Sequence, residues 1–254
     1  MLDVLKALVK AVENREPVAV ATVIEVQGAS PARVGFKLLV QPDGGCVGNV
    51  GGGELEKRVR EDAKEVLAKG TAATIHYSLR EKGEDAIGTL CGGDVTVFVE
   101  PFMPNPVLLI VGGGHIGRPL SEMARIAGYD IRVVDVKPNR GTEPMLDPTA
   151  ITANTHVVLI TEDHVTDEQA LRDVLSTPAA YIGMIGSQRK IATILEHLRE
   201  DGFNEDQLRR LHGPIGLNLG GGEPFQIALA ILAEIEMVRH GGSGRPRSEA
   251  LRDK

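Results

Sequence analysis

Tryptophan is absent from the 254 residues, and aromatic residues make up only 3% of the chain. The core must therefore be assembled from Ala, Val, Ile and Leu, and there is little material for stacking nucleobases along an open surface. Cysteine is nearly missing too, with only Cys46 and Cys91. Two thiols make no disulfide framework. Met1–Arg15 alternates apolar and charged positions, unlike an export signal, so a reduced, cytoplasmic protein is expected. No apolar run approaches the roughly eighteen residues of a membrane span, and none is expected. Basic residues are in deficit: 28 Lys and Arg stand against 35 Asp and Glu, a net charge of −7. A general nucleic-acid binder would need a basic face, so that class is set aside. What is abundant is glycine, 30 residues in 254, well above the usual ~7%. The glycines are clustered, which points to tight backbone loops.

The stretch Pro101-Phe102-Met103-Pro104-Asn105-Pro106 divides the chain, because three prolines in six residues oppose both helix and central strand. Before it, the pattern predicts a helix over 2–14 with Leu5, Leu8, Val9 and Val12 on one face, and a strand over 18–26. A hairpin over 37–41 and 45–47, with Cys46 in the core, turns at Pro42-Asp43-Gly44. A helix over 54–68 turns Leu55, Val59, Val66 and Leu67 inward and pairs Glu54 with Arg58, and strands follow over 71–77 and 94–100.

After the prolines the chain alternates. Strands are expected over 107–111, 131–134, 157–160 and 180–185, and helices over 115–127, 167–175, 188–200 and 225–238. The last helix carries Phe225, Ala228, Leu229, Leu232 and Ile235 as its apolar stripe. The fold class is therefore α/β: a Rossmann-like doubly wound parallel sheet over 106–240, a smaller α+β domain over 1–101, and a polar tail over 241–254.

The first strand of the second half runs into Gly112-Gly113-Gly114-His115-Ile116-Gly117, a G-x-G-x-x-G, and Asp135 ends the next strand. That context is the dinucleotide fingerprint. Gly112 permits the turn, Gly114 lets main chain approach a pyrophosphate, and Gly117 lets the helix lie close to the sheet. His115 fills the variable position, and Asp135 would accept ribose hydroxyls and repel a 2′-phosphate, a preference that Lys137 and Arg140 nearby would soften. The residues leave NAD(P), another nucleotide, or no ligand open at this loop.

Other loops are built similarly. In the loop over 28–37, Ser30, Arg33 and Lys37 offer charge-assisted hydrogen bonds to an anion. Gly51, Gly52 and Gly53 open a helix, where main-chain N–H groups also suit an anion. Cys91-Gly92-Gly93 places a thiol beside bare main chain, either a reactive group or a small hydrophobe. The loop over 213–224 carries Gly220 and Gly221 before a helix starting near Pro224. Glu162 and Asp163 follow a strand within reach of a site, although carboxylates in such loops are usually solvated. There is no G-x-S-x-G, Walker A, H-E-x-x-H or C-x-x-C, and no metal held by the protein is expected.

Together these loops resemble the XdhC/CoxI family, accessory factors of molybdenum hydroxylases such as xanthine dehydrogenase. The matching segments are 28–40, 48–56, 91–101, 111–117 with Val134-Asp135, 181–190 including Ser187, Arg189 and Lys190, and 212–223 followed by 228–234. Relatives often carry Cys at the position of Glu54, a second Cys beside that of Cys91, Asp at that of Asn218 and Arg at that of Gln188. The resemblance implies a chaperone, rather than a turnover enzyme, that transiently binds molybdopterin as molybdenum cofactor. It would support exchange of an oxo for a sulfido ligand and insertion into an apo-hydroxylase client, with Cys91 contacting molybdenum or relaying sulfur. Arg33, Lys37, Arg189 and Lys190 would hold the anionic pterin. A cysteine desulfurase is an implied second partner, and a homodimer is expected for such a fold. Two alternatives stay open: an NAD(P)-dependent oxidoreductase of a small molecule, for which no acid–base pair is evident, and a nucleotide-sensing module.

Overall fold

In the computed structural model, which describes residues 1–80, 92–137 and 139–249, the chain divides into one unit over Met1–Pro104 and another over Asn105–Lys254. Cys91 lies outside the described residues.

The first unit is an antiparallel sheet with one helix on each face. Its strands are β1 (Val18–Gln27), β2 (Lys37–Val40), β3 (Cys46–Asn49), β4 (Ala73–Ser78) and β5 (Asp94–Phe102), in the order β3-β2-β1-β5-β4. Alternation along β1 explains the two layers. Ala19, Ala21 and Val23 join Leu38, Val40 and the buried side of α2 (Gly53–Lys69), whereas Val18 and Val20 join Leu39 and α1 (Leu2–Glu13). Pro101 is accommodated inside β5 because β4 pairs with that strand only as far as Val99; beyond it β5 has a neighbour on one side alone.

The structure differs from three expectations here. In α1 the buried residues are Val4 and Ala11, with Leu8 half-buried, while Leu5, Val9 and Val12 are exposed. The apolar stripe is wider than the contact. Its rotation is set by Gly48: an added Cβ there would come 2.5 Å from Val4 Cγ2 and 2.2 Å from the Lys37 carbonyl, so the missing side chain is the seat of Val4. Cys46 is exposed, because β3 is the sheet edge. On α2, Glu54 pairs with Lys57 at 3.6 Å and Arg58 with Glu61 at 3.8 Å, instead of with each other.

The second unit is a five-stranded parallel sheet of β6 (Val107–Val111), β7 (Asp130–Val134), β8 (Thr155–Leu159), β9 (Tyr181–Met184) and β10 (Leu211–His212), in the order β10-β9-β8-β6-β7. Leu108 and Ile110 point toward α3 (Gly117–Ile126) and α7 (Pro224–Arg239). Leu109 and Val111 point toward α4 (His164–Leu175) and α5 (Gln188–Glu200). Both faces are thus covered, as the doubly wound pattern requires. A short α6 (Glu205–Leu208) and β10 were not anticipated. The apolar stripe of α7 is also narrower than expected: Ala228, Leu232 and Ile235 are buried, but Phe225 and Leu229 are exposed. No helix among the described residues is long and apolar enough to cross a membrane.

Glu234 on α7 anchors the chain that leaves β10. It accepts hydrogen bonds from Tyr181 Oη at 2.9 Å and from the Gly216 N–H at 2.6 Å, and it faces His212 Nδ1 at 3.2 Å. Burial opposes ionisation of this carboxyl, but the bonds from His212, Tyr181 and Gly216 outweigh it and hold the group below its ordinary value. Its contribution is present above the unfolded carboxylate range and is lost as pH falls. Glu234→Gln should therefore flatten the acid limb of thermal stability, read from melting curves across pH; an unchanged limb would contradict this role.

Candidate functional site

The strand order places β6 between β7 and β8, so the connections from β6 and β7 leave in opposite directions. In open α/β sheets that switch point forms a crevice beyond the carboxyl ends of the strands. A cavity of about 230 Å³ lies there, with Val111, Val134 and Ile160 as its apolar wall and Gly112, Gly114, Asp135, Lys137, Arg140 and Glu162 among its polar lining.

The glycines of this loop do different things. At Gly112, φ is +114° and an added Cβ would come 2.4 Å from the Ile160 carbonyl, so only glycine fits the turn. At Gly117 an added Cβ would come 2.1 Å from the Gly112 carbonyl, which is how α3 begins against the sheet. At Gly114 the nearest atoms would be Arg140 Nη1 at 3.8 Å and Glu162 Oε1 at 4.0 Å. Its main chain is bare and faces the crevice. The helix begins at Gly117 rather than at His115, and His115 is exposed and is not among the residues lining the cavity.

Asp135 ties the loop down. Its Oδ2 accepts from the Gly113 N–H at 2.9 Å, and its Oδ1 accepts from the Lys137 N–H at 2.8 Å. A carboxylate has about four lone-pair positions, so the loop uses half of its accepting capacity. Across the mouth, Glu162 Oε1 accepts from Arg140 Nη1 at 2.6 Å and its Oε2 accepts from Lys137 Nζ. Hydrogen bonds from Lys137 and then Arg140 hold its carboxyl at about 2. With the ordinary value at 4.5, protonation opens this trio only as pH falls toward 2. Carbon NMR of the Glu162 carboxyl should show no titration step near 4.5; a step there would mean that the trio does not hold.

Beneath the lip lies Asp167, fully buried on α4. It accepts from the Thr161 N–H at 3.0 Å, from Thr161 Oγ1 at 2.7 Å and from Lys190 Nζ at 2.7 Å. Lys190, expected as an anion ligand, is thus engaged by a buried carboxylate, and this pair fixes Thr161 at the wall. Asp163 caps α4, accepting from the Thr166 N–H at 2.9 Å, so that helix starts three residues before the expected position. Ser187 caps α5 by accepting from the Lys190 N–H, and Arg189 beside it is exposed. Gly220, at φ +78°, has open space around it, whereas an added Cβ at Gly221 would meet the Gln226 side chain at 2.5 Å.

A second cluster belongs to the first unit. Three glycine loops are brought together: an added Cβ at Gly28 would come 3.2 Å from Gly93 Cα, and one at Gly51 would come 3.1 Å from the Ala32 nitrogen. An added Cβ at Gly52, Gly53 or Gly92 would meet nothing within 4 Å, so bare main chain is reachable there. Ser30 Oγ accepts from the Ala32 N–H at 3.0 Å, Lys37 Nζ donates to Thr22 Oγ1 at 2.8 Å, and Arg33 is exposed. Of the cations expected in this loop, Arg33 therefore projects outward and Lys37 is tethered to β1.

Thr161 and Asp167 were not singled out from the sequence, and Glu162 and Asp163 were read as within reach of a site but as solvated loop carboxylates. The signal was the run Thr161-Glu162-Asp163 directly after a buried strand, which is a switch-point loop once the strand order is known.

Comparison with known proteins covers both units. A family model described as XdhC Rossmann domain matches residues 108–235, and one described as XdhC and CoxI family matches residues 11–78. The uncharacterized protein YqeB of Escherichia coli K12 is 31% identical over 96% of this chain and 47% of its own length. The molybdenum cofactor insertion chaperone PaoD of the same organism is 21% identical over 93% of this chain and 88% of its own. A probable xanthine dehydrogenase subunit of Bacillus subtilis 168 is 24% identical over 56% of this chain and 46% of its own. The chain thus spans about half the length of YqeB and of the Bacillus protein.

Proposed function

The chain belongs to the XdhC and CoxI family, and from that premise we propose that it is a maturation chaperone for a molybdenum hydroxylase of the xanthine dehydrogenase type. It binds molybdenum cofactor as cargo, supports its sulfuration and hands it to the apo-enzyme. The observation that carries this is the alignment with a molybdenum cofactor insertion chaperone, PaoD, which runs through both units. Converging glycine loops in the first unit leave reachable main chain at Gly52 and Gly53, where α2 begins, while the Gly51 and Gly92 N–H groups are already taken by Asn49 Oδ1 and the Leu79 carbonyl. Gly93 and Ser30 stand in the same cluster, and Arg33, with Lys37 once released from Thr22, would meet the pterin phosphate. The crevice of the second unit, with Gly112, Gly114, Gly117 and Asp135, takes a nucleotide-type group, and Ser187, Arg189 and Lys190 at the start of α5, with Gly220 and Gly221 in the loop before α7, are further candidate contacts for the cargo. The partners are the hydroxylase client and a cysteine desulfurase as sulfur source, and the chaperone acts as a homodimer in the cytoplasm.

The test is activation of purified apo-hydroxylase by this protein loaded with cofactor. Activity should rise only when the protein is supplied; equal activation by free cofactor would overturn the proposal. In the same assay Cys91→Ser should leave the melting temperature unchanged and abolish activation, because serine cannot carry sulfur. Full activation by that variant would remove the thiol from the mechanism. The glycine loop also supports a second reading, nucleotide-dependent oxidoreduction, which steady NAD(P)-dependent turnover of a small alcohol or carbonyl would establish.

A further inference from the structure

Glu162 holds the mouth of the crevice through two cations. Its two oxygens accept from two different cations, Arg140 and Lys137. Both cations come from the segment after β7 and the carboxylate from the segment after β8, so the trio bridges the mouth of the crevice. It also sits over the bare main chain of Gly114, as the distances from an added Cβ at that glycine show. The trio is not part of the core: the side chains of Glu162 and Lys137 are 62% and 48% exposed. The other carboxylates of the lining have separate duties. Asp135 is bonded to the Gly113 and Lys137 main-chain N–H groups, and Asp163 caps α4. Charge balance on the Lys137 and Arg140 side chains therefore falls to Glu162.

We propose that this crevice binds a nucleotide bearing a phosphate on its ribose, and that Glu162 is an internal stand-in for that phosphate. The apolar wall of Val111, Val134 and Ile160 suits a flat base, and Asp135 at the end of the second strand is the position where a Rossmann sheet meets the ribose. Its charge opposes a phosphate there, but once Glu162 swings out the two cations Lys137 and Arg140 outnumber it. Lys137 and Arg140 lie two and five residues beyond it, which sets the cations beside a ribose phosphate. A phosphate dianion satisfies a Lys–Arg fork better than one carboxylate does. While Glu162 occupies the fork it repels that dianion, so ligand entry requires the carboxylate to swing toward solvent. The proposal rests on the crevice being a nucleotide site, not on the chaperone role.

Titration calorimetry on the full chain tests it, with adenosine 5′-monophosphate and adenosine 2′,5′-bisphosphate as probes at one fixed ionic strength. The wild-type protein should prefer the bisphosphate. Glu162→Gln removes one negative charge from the fork and should tighten the bisphosphate by roughly tenfold while moving the monophosphate by less than about twofold. Replacing Lys137 and Arg140 together with alanine should erase the preference. An unchanged or weakened bisphosphate affinity in Glu162→Gln, or an equal gain for both nucleotides, would overturn the proposal. So would a complete lack of binding in every form, which would also remove the nucleotide assignment of the crevice while leaving cofactor loading by the chaperone to its own assay. Melting curves establish that each variant is folded, and if the double variant is not, the Glu162→Gln comparison decides alone.

Discussion

Asp167→Ala should lower the melting temperature of the second unit by roughly 10 °C, the consequence of breaking a buried ion pair by removing one partner. The carboxylate is fully buried and accepts from the Thr161 main chain, the Thr161 hydroxyl and the Lys190 ammonium. Truncation leaves the ammonium, itself mostly buried, with only the distant Ile185 carbonyl at 3.5 Å, and leaves the Thr161 N–H without its acceptor. An orphaned charge in the interior costs far more than a lost surface pair. The damage should also reach the crevice, because Thr161 lines its wall and Glu162 follows it in the chain. Asp167→Asn, which keeps the shape and an acceptor oxygen, should lose less than half as much. Scanning calorimetry of both variants checks the ranking, and a loss of under about 2 °C for alanine would show that the pair does not brace the fold.

Gly117→Ala should cost about 3 kcal/mol, whereas Gly114→Val should cost almost nothing and still silence the site. The first substitution drives a methyl group to 2.1 Å from the Gly112 carbonyl. That oxygen belongs to a turn with φ +114°, itself wedged against Ile160, so it has no direction in which to retreat. Helix α3 must then lift from β6. At Gly114 the nearest atoms are 3.8 Å and 4.0 Å away and belong to the ends of flexible side chains, so a larger residue fits but fills the path of the guest. Urea titration should separate the two variants by stability, and nucleotide calorimetry should separate them the other way. Equal stability of the two, or unaltered nucleotide affinity in Gly114→Val, would contradict these roles.

The doubly wound half was legible because its signals are local. Val107–Val111 is continuously apolar, as a strand covered on both faces must be, and the glycine spacing after it admits few backbones. Helix α5 keeps its expected range because apolar residues recur at helical spacing along it, and Ser187 caps its start. What the sequence concealed depends on rotation and register. The face that α1 buries is chosen by the gap at Gly48, a long-range contact that periodicity cannot contain. Cys46 reads as core until the strand order puts β3 at the edge. The candidate site was half visible. The glycines and Asp135 announced themselves by spacing, but the fork at Glu162 needs the loops after β7 and β8 to meet, and only the β7-β6-β8 order brings them together.

Cofactor loading is the point on which the function turns. Mass spectrometry and elemental analysis of small molecules released from the protein, freshly purified after co-expression with molybdenum cofactor biosynthesis, measure it directly. Near-stoichiometric pterin together with molybdenum is the result expected of a cofactor chaperone. Protein that carries neither, under conditions where the client hydroxylase in the same cells is fully loaded, would contradict it.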